Sequence, residues 1–541
     1  MNPYKVLIGF YFLFAFSAIS QSNLGIQNSG FELEDGWENL IRSNDAYFSP
    51  VEGNYYALIN GNSDSVFQET GVVIEKDKSY NLTIYLRSAN NVNIGTPPIA
   101  EIELFYDNTH ILSNILNVQI PHLKGAPEIF TNDDGANIWI DGSYRMQFNT
   151  EILYQPVTSN PINDEWFLYS DNDYDPMMAL GQVITPQGLK ALFGTEYDDG
   201  VEPYSAIYLK KATGSPPDYQ WVTEEIILEH NLNQSPWIID AHAYYDEESQ
   251  KLWMSWGGHK FWVTELDPNS GKLINDPANP EFDLHPLSTH TQIAEFIEDD
   301  IWSDGYHEGA ALYKHENYWY CFGSYGNLST NYTVRYGRAD NPKGPYFDKN
   351  GIDMNNNGAT LLFGDEGEQL VPGHPHIWKE NGVYYIGYDY RKTASEDFDY
   401  MGIRKLNWVD GWPTIYQPLS VAFNANDFPD AIGKNLSICF KNLGEANSRL
   451  ALDKASLIIN DSNIILESNI LINPNPSKDI ITISGLNGEY SVKVIGPKGN
   501  LFKLLSGEDV SEFNISDLSS GLYILNIYNN EGSWSKKLIK K

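Results

Sequence analysis

The sequence predicts an all-β protein built around a β-propeller, and repeated hairpins are the main reason. Three stretches superpose on one another: DAHAYYDEESQKLWMSW from Asp240, EGAALYKHENYWYCFGS from Glu308 and HPHIWKENGVYYIGYD from His374. Each begins with a polar residue, continues as a short apolar strand, turns at a polar or glycine-bearing bend and returns as an aromatic strand, which is typical of a β-hairpin. The copies begin at nearly constant intervals of 68 and 66 residues (240 to 308 to 374).

Two fainter copies lie upstream, APEIFTNDDGANIWID from Ala126 and GQVITPQGLKALFGT from Gly181. Five copies predict five blades, although the period exceeds the roughly 40–50 residues usual for one blade. The first strands of the blades of a propeller line a central channel. Residues at equivalent strand starts therefore converge at one mouth of the channel, and Asp240, Glu308 and His374 are predicted to share a site there.

Composition limits the classes of function. The 541 residues are enough for several domains, and aromatic residues make up 13% of them, a content that fits half-buried strands and sugar-stacking surfaces. The formal net charge of −37 argues against nucleic acid as a partner. The two cysteines, Cys321 and Cys439, are predicted to be buried free thiols, and the absence of CxxC and HExxH patterns argues against structural zinc.

The first twenty residues read as a secretory signal. Lys5 supplies the positive region, residues 6–18 are apolar, and AIS at 18–20 has the small residues of a cleavage site. The apolar stretch is short for a transmembrane anchor, which needs about 20 residues. No later segment approaches that length, so no membrane span is predicted.

Residues 24–118 are predicted to form a β-sandwich, because YNLTIYL alternates with a period of two. With NSGFE near its start, the segment resembles jelly-roll carbohydrate-binding modules, but it is too short for a whole module. LSICFKN and LALDKASLI, within 419–459, resemble the missing closing strands. We therefore predict a sandwich of 24–118 with 415–462, into which a propeller of 119–414 is inserted.

The last unit, 469–541, is predicted to be a small β-sandwich. Its NPNPS, GNL and L-SSG-LYIL passages and Lys-rich end resemble the C-terminal sorting domain of type IX secretion in Bacteroidota. The resemblance implies export across the outer membrane by the type IX machinery, hence a secreted or cell-surface protein. An ordinary accessory sandwich is the alternative.

The propeller segment, roughly 120–414, resembles glycoside hydrolase family 43. Three passages carry the resemblance: SPWIIDAHAYYDEESQKLWMSWGG (235–258), YHEGAALYKHENYWYCFGSYG (306–326) and GHPHIWKENGVYYIGYDYR (373–391) followed by LNWVDGWP. The family's enzymes are five-bladed propellers that cleave arabinosides, xylosides and some galactosides. The resemblance implies a plant or algal polysaccharide, or an oligosaccharide from one, as the substrate.

The resemblance also implies roles for individual residues. Inversion needs a carboxylic acid beside the leaving oxygen and a carboxylate that activates water on the opposite face of the sugar. Glu308 matches the general acid, and Asp240 matches the second carboxylate that tunes and orients it. His374 matches a histidine that faces a central calcium ion, usually through water, and Arg391 matches a substrate-contacting arginine. Calcium in the channel is thus implied, whereas no nucleotide fingerprint or phosphate loop suggests an organic cofactor.

Each of these residues also has a plainer interpretation. A carboxylate at a strand end is often a turn or salt-bridge residue, and His374 can be a hydrogen-bonded channel residue. Trp256, Trp302 and Trp378 are candidate linings of a sugar pocket, with blade packing as the alternative.

One position departs from the family. The family's general base is an aspartate in the first blade, and the aligned passage HLKGAPEIFTNDDG puts Ala126 there. Glu128 is the nearest substitute, on the same strand face but deeper in the channel; Asp304 and Asp141 are further candidates. Either the register of this passage is shifted, or another group serves as the base, or the protein does not hydrolyse by the usual route. The first two explanations leave a glycosidase with an unidentified base, and the third leaves a carbohydrate-binding propeller that has lost catalysis. A surface scaffold without sugar affinity is a further hypothesis, but it leaves the carboxylates unexplained.

Overall fold

A computed structural model of the chain describes a subset of its residues. They are 37, 42–43, 56–61, 64–89, 98–118, 130–131, 138–141, 144–148, 152–157, 161–162, 166–170, 178–198, 204–215, 218–231, 237–274, 290–295, 297, 306–366, 369–392, 399–444, 448–461, 471–473, 475, 477–484, 489–496, 501–508, 510–529 and 532–541. Regular structure in these ranges is β-strand apart from three one-turn 3-10 helices, Met354–Asn356, Ala425–Asp427 and Pro429–Ala431. The predicted all-β class is confirmed. Among these residues no helix is long and apolar enough to cross a membrane.

Six strands come before the propeller: β1 Arg42–Ser43, β2 Tyr56–Asn60, β3 Asp64–Val73, β4 Lys78–Ser88, β5 Ile99–Tyr106 and β6 Thr109–Asn117. The period-two pattern shows why β4 is a strand. Tyr80, Leu82, Ile84 and Leu86 are buried, and the side chains between them point to the other face.

After the short strand β7 Phe130–Thr131, the central part of the chain forms antiparallel sheets, five of them in the described ranges. Four of these sheets have four strands, and the last has a fifth strand, β7, at β26. The first sheet holds β8 Ile138–Asp141, β9 Tyr144–Phe148, β10 Ile152–Pro156 and β11 Phe167–Ser170. The second holds β12 Met178–Ile184, β13 Lys190–Asp198, β14 Tyr204–Ser215 and β15 Asp218–Asn231. The third holds β16 His242–Asp246, β17 Lys251–Trp256, β18 Lys260–Leu266 and β19 His290–Glu295. The fourth holds β20 Tyr306–His315, β21 Tyr318–Gly326, β22 Thr333–Ala339 and β23 Thr360–Phe363. The fifth holds β24 Leu370–Glu380, β25 Val383–Arg391, β26 Asp399–Val409 and β27 Trp412–Thr414.

These sheets close into a ring. The first strands of successive sheets, β8, β12, β16, β20 and β24, are neighbours in that order. The last sheet meets the first through a buried two-pronged ion pair between Arg145 and Glu380 and through a shared apolar core that includes Trp166 and Trp378. First strands around a common axis define a β-propeller, so the predicted architecture is confirmed.

The strand β7 closes the ring and corrects one sequence interpretation. Phe130 and Thr131 pair with Tyr400 and Asp399 of β26, so β7 belongs to the last sheet. The inner strand of the first sheet is instead β8. The passage that begins at Ala126 therefore leads into the closing strand, and matching Ala126 to the start of the first blade's inner strand was wrong.

Strands that come before the propeller in the sequence and strands that follow it form one two-sheet sandwich. β28 Gln417–Asn424, β29 Asn435–Asn442 and β30 Arg449–Asp461 join the early strands in the orders β1-β2-β30-β4-β28 and β3-β29-β5-β6. Leucine, isoleucine and valine side chains from both sheets form one buried core. The chain thus leaves this sandwich after β6 and returns to it at β28.

The C-terminal strands form a separate pair of sheets. β31 Leu471–Asn473, β32 Ile480–Ser484 and β35 Ser511–Asn514 make one sheet, and β33 Glu489–Ile495, β34 Leu501–Glu508, β36 Gly521–Asn529 and β37 Gly532–Lys540 make the other. They enclose their own apolar core.

The two cysteines lie in the other parts of the chain. Cys321 and Cys439 are buried free thiols, as predicted.

Candidate functional site

Four neighbouring sheets carry the same distortion where the chain enters the inner strand. One residue in each is left-handed: Ala179 at φ 52°, Asp240 at 56°, Gly309 at 67° and His374 at 43°. In the second, fourth and fifth sheets the register between the first and second strands shifts at this residue. Such β-bulges re-aim side chains and are common beside active sites. They bring these four positions to one mouth of the channel.

The bulges correct the superposition of the repeats. The residue equivalent to Asp240 and His374 is Gly309, and Glu308 comes one position earlier, directly before the bulge. These bulges lie at the starts of the strands, before their apolar stretches, so the repeat pattern alone does not reveal them. Glu308 nevertheless lies at the same mouth as the other two residues.

Glycine at position 309 allows a close approach between sheets. A Cβ at this residue would lie 3.1 Å from Ser324 Oγ and 3.2 Å from His374 Cα, and the positive φ already disfavours a side chain. The backbone N–H of Gly309 donates to Asp240 Oδ2 at 2.9 Å. The carboxylate of Asp240 is thereby tied to the residue next to Glu308.

Glu308 is held by a buried phenol. Tyr332 OH donates to Glu308 Oε1 at 2.6 Å, while Tyr332 is 2% exposed and Glu308 is half-buried. The Tyr332 ring packs on Gly373, where a Cβ would come within 2.4 Å of it. Because Gly373 has no side chain, there is room for the ring that positions the Glu308 carboxyl group.

Asp240 is buried and anchored on both sides. Its backbone N–H donates to Thr195 Oγ1 of the second sheet at 2.9 Å, and its carboxylate accepts from Gly309 of the fourth. A carboxylate that accepts a backbone N–H in a buried site has a fixed orientation. Asp240 therefore holds the start of the strand that carries Glu308.

Histidines fill the channel next to these carboxylates. The backbone N–H of His374 donates to Ser324 Oγ at 2.7 Å, and His242 Nε2 lies 3.1 Å from His376 Nδ1. Burial lowers the pKa of His376 to about 4, and burial together with the neighbouring imidazoles lowers the pKa of His242 well below its usual value. These rings are therefore neutral near pH 7.

The described residues do not supply a calcium site by themselves. Among them, no three His, Cys, Asp or Glu side chains are grouped so that they could hold a metal ion. Calcium takes oxygen ligands, whereas His242, His374 and His376 offer nitrogen.

The remaining predicted residues fall into three groups. Arg391 is buried and pairs with Leu370 at the end of β25. It therefore lies at the same end of the fifth sheet as His374. Trp256 is fully buried, stacks on Trp262 and donates its N–H to Thr264, so its side chain packs the blade and does not support the expected sugar contact. Glu128, Trp302, Asp304 and Ala126 lie outside the described ranges.

Two other side chains named from the sequence lie away from this mouth. Asp141 ends β8, at the opposite end of an inner strand, and forms an ion pair with Lys190. Trp378 is buried in the core that joins the first and last sheets. Neither position suits contact with a sugar beside Glu308.

Sequence reasoning missed Tyr332, His242 and His376. The histidines carry a signal, because each follows a bulge residue by two positions, in DAH and HPH. Tyr332 carries no such signal, since it comes from the loop between two outer strands and meets Glu308 only in the fold.

Comparisons with known proteins identify two families in the chain. Residues 197–413 match Glycosyl hydrolases family 43, and residues 471–541 match the Secretion system C-terminal sorting domain. An extracellular exo-α-(1→5)-L-arabinofuranosidase of Cellvibrio japonicus is 26% identical over 216 residues, which are 38% of this chain and 60% of that protein. An extracellular endo-α-(1→5)-L-arabinanase of Bacillus subtilis is 25% identical over 218 residues, again 60% of its length. The chain thus spans less than two thirds of these relatives.

Two solved structures are also similar. An α-L-arabinanase of Cellvibrio cellulosa complexed with arabinohexaose is 21% identical, with 53% of this chain and 96% of that chain covered and a TM-score of 0.44. A family 43 endo-arabinanase of Bacillus licheniformis is 20% identical, with 55% and 100% covered and the same TM-score. From the two family matches, the chain contains a glycosyl hydrolase family 43 domain and a secretion system C-terminal sorting domain.

Proposed function

We propose that the protein is a secreted glycoside hydrolase that acts on arabinan or its oligosaccharides. One observation carries the proposal: Tyr332 holds the Glu308 carboxyl group, and the backbone of the next residue binds Asp240. Two carboxylates from adjacent inner strands thus meet at one mouth of the channel. The extracellular arabinan-cleaving enzymes among the relatives support arabinan as the substrate.

In this proposal Glu308 is the general acid that protonates the leaving oxygen, and Asp240 positions it. Burial keeps two of the channel histidines, His242 and His376, neutral near pH 7. Arg391 binds the substrate, since it lies at the same end of the fifth sheet as His374. Water attacks the opposite face of the sugar, so the configuration at the anomeric carbon is inverted.

The base is expected just before the first inner strand. Asp240 precedes the first residue of β16 by two positions. The same count from β8 falls on Ala136, and the carboxylates just before it are Asp134 and Asp133, four and five residues before Ile138. Both lie outside the described ranges, and only their position in the chain supports them. Glu128, nearer to the closing strand β7, is the competing candidate.

Three further expectations accompany the enzyme. The sandwich is proposed to bind carbohydrate, and the segment of residues 1–20 and the type IX machinery to carry out export, which the sorting domain supports. Calcium in the channel stays a prediction of the family resemblance. Activity that survives prolonged chelation would exclude a required calcium ion.

The alternative of a non-catalytic binding propeller rested on Ala126 in place of the base. Because Ala126 leads into the closing strand β7, this position no longer speaks against catalysis.

The test is hydrolysis of linear α-1,5-arabino-oligosaccharides, with aryl arabinofuranosides, xylosides and galactosides alongside. We expect the full chain to release arabinose products and Glu308→Gln to lose at least 10³-fold in kcat, while it still binds the oligosaccharide. Asp134→Asn, Asp133→Asn and Glu128→Gln identify the base, because only the base variant loses turnover that azide restores as a glycosyl azide. A folded wild-type protein that binds sugar but cleaves none of the panel would refute the enzyme.

A further inference from the structure

A second cavity lies at the far end of the fourth sheet, where it meets the fifth. Its volume is about 390 Å³, within the range of small-molecule sites. Its lining includes the aromatic residues Tyr318, Phe347 and Trp412, the cations Arg338 and Lys349, and the carboxylates Asp340 and Asp348. Asp348 accepts two backbone N–H groups of its own turn, and Asp340 is exposed to solvent. Tyr318 begins β21 and Trp412 begins β27, so the cavity joins two blades.

This cavity is separate from the candidate active site. Ser324 pairs with Glu308, and Tyr318 lies six residues away along the same strand. At about 3.3 Å per residue the two ends of the strand are roughly 20 Å apart. A ligand in the cavity therefore cannot be the sugar that reacts at Glu308.

Arg338 is the central charge of the cavity. Its guanidinium carbon lies 4.2 Å from the centre of the Tyr318 ring and 3.9 Å from that of Trp412, so the group is held between two aromatic rings. Its side-chain hydrogen bond is a long one, 3.3 Å to the carbonyl oxygen of Gly411. In the described part of the chain no carboxylate forms an ion pair with it, although the whole chain carries a formal net charge of −37.

A second cation, Lys349, also favours the binding of a carboxylate. Lys349 also lines the cavity; no described carboxylate lies within ion-pair distance of its amine, but the charges of Asp453 and Asp410 act on it from further away. Burial lowers the pKa of Lys349 to about 8, so the amine remains mostly charged at neutral pH. A planar guanidinium binds a carboxylate through two parallel hydrogen bonds, and an ammonium adds a point charge.

The wall of the cavity suits a sugar ring. Phe347 is 40% exposed, and Tyr318 and Trp412 are half-buried. Because Arg338 covers a face of Tyr318 and a face of Trp412, Phe347 offers the open aromatic face that can pack against the C–H face of a pyranose ring. The net negative charge does not prevent an acidic ligand, because exposed charges are screened beyond about 8 Å at physiological salt.

We propose that this cavity binds a uronic acid residue of an acidic polysaccharide, with its carboxylate at Arg338 and Lys349 and its ring on Phe347. The choice of a carbohydrate over other carboxylates rests on the proposed function; the carboxylate itself rests on the two cations. Such a site would hold the enzyme on the acidic part of a polymer while a neutral branch enters the channel.

The test is calorimetric titration of the full chain with oligogalacturonate, oligoguluronate and a neutral galacto-oligosaccharide of equal length. We expect uronate binding that weakens as salt rises, at least tenfold tighter than binding of the neutral sugar. Arg338→Gln should weaken uronate binding at least tenfold. Phe347→Ala and Lys349→Met should each weaken uronate binding about threefold or more. These two variants test the proposal even if Arg338→Gln fails to fold.

The matched control is Lys379→Gln. Lys379 also lies over an aromatic ring, Tyr384 at 4.8 Å, but outside the cavity, so its loss changes net charge equally and should leave uronate binding within twofold. Equal affinity for neutral and acidic sugars, or unchanged affinity in the folded Arg338→Gln variant, would overturn the proposal. Hydrolysis of short arabino-oligosaccharides should be unaffected in all four variants, so a failure of the active-site account is seen separately.

Discussion

The candidate acid is controlled by residues that the sequence pattern does not reveal. Glu308 gains its fixed position from Tyr332, and Tyr332 gains its place from the missing side chain of Gly373. Glu308 could be proposed as the acid from the sequence, because it opens one of the repeats and matches the general acid of the family that the chain resembles. The phenol that orients it could not, because the contact depends on how an outer loop folds back.

Tyr332→Phe tests this control. The change removes one hydrogen bond to a carboxyl group, a contribution of about 1.5–3 kcal/mol, and we expect kcat on arabino-oligosaccharides to fall roughly 10- to 100-fold. Tyr336→Phe is the control, since that buried hydroxyl donates to the Pro413 carbonyl oxygen, away from Glu308. Equal effects of the two changes on kcat would contradict the role of Tyr332.

His307, next to Glu308, makes stability depend on pH. Burial between Phe261 and Tyr325 lowers the pKa of His307 to about 3, below the 6.5 of an unfolded histidine. Below pH 6.5 the unfolded chain takes up a proton that the folded chain refuses, so stability is lost as the pH falls.

In urea titrations, the free energy of unfolding of wild type should include a loss of roughly 2 kcal/mol from this group between pH 7.5 and pH 5. His307→Met should lose correspondingly less over the same interval, whatever its stability at pH 7.5. The same pH dependence in both proteins would show that His307 is protonated in the fold.

At the scale of elements, the bulges at the inner strand starts organise the site. The sequence repeat correctly brought Asp240, Glu308 and His374 to one mouth, but it placed them in one register. The extra residue in each bulge shifts that register, and Gly309 is the true equivalent of the other two. Pattern reasoning also took the passage from Ala126 for an inner strand, because a ring-closing strand has the same apolar character as a first strand.

Gly309→Ala tests the close approach at the bulge. Its positive φ and the contacts of 3.1 and 3.2 Å to Ser324 and His374 predict a loss of about 2–3 kcal/mol in unfolding free energy and a reduced kcat. Gly382→Ala is matched, since Gly382 has φ +81° but open space around its Cβ position. It should lose only about 1 kcal/mol and keep its activity. Equal losses would mean that crowding at the bulge is unimportant.

At the scale of the whole molecule, a buried ionic group joins the sandwich to the propeller. Glu366 accepts from Arg404 of β26 at 2.7 Å and lies 3.8 Å from Arg87 of β4, and its side chain is 8% exposed. Arg87 also lies over the rings of Tyr56 and Tyr416. One carboxylate thus neutralises an arginine from each side of the junction.

Glu366→Gln should destabilise this junction. The change keeps the size of the side chain but removes the negative charge that faces both guanidinium groups, which costs about 3 kcal/mol in a buried site. Glu248→Gln breaks an ion pair with Lys314 at which Glu248 is 83% exposed, and it should change stability by less than about 1 kcal/mol. Thermal unfolding of both variants measures the difference; similar melting temperatures would refute the role of the junction.

The central claim is that Glu308 makes this propeller a hydrolase. The most direct measurement is ¹H NMR of the anomeric protons while the full chain acts on a linear α-1,5-arabino-oligosaccharide, with Glu308→Gln in parallel. The account predicts new reducing ends that first appear as the inverted anomer with wild type and stay absent with Glu308→Gln. Equal cleavage by the variant, or an unchanged spectrum with a folded wild-type protein that binds the sugar, would contradict it.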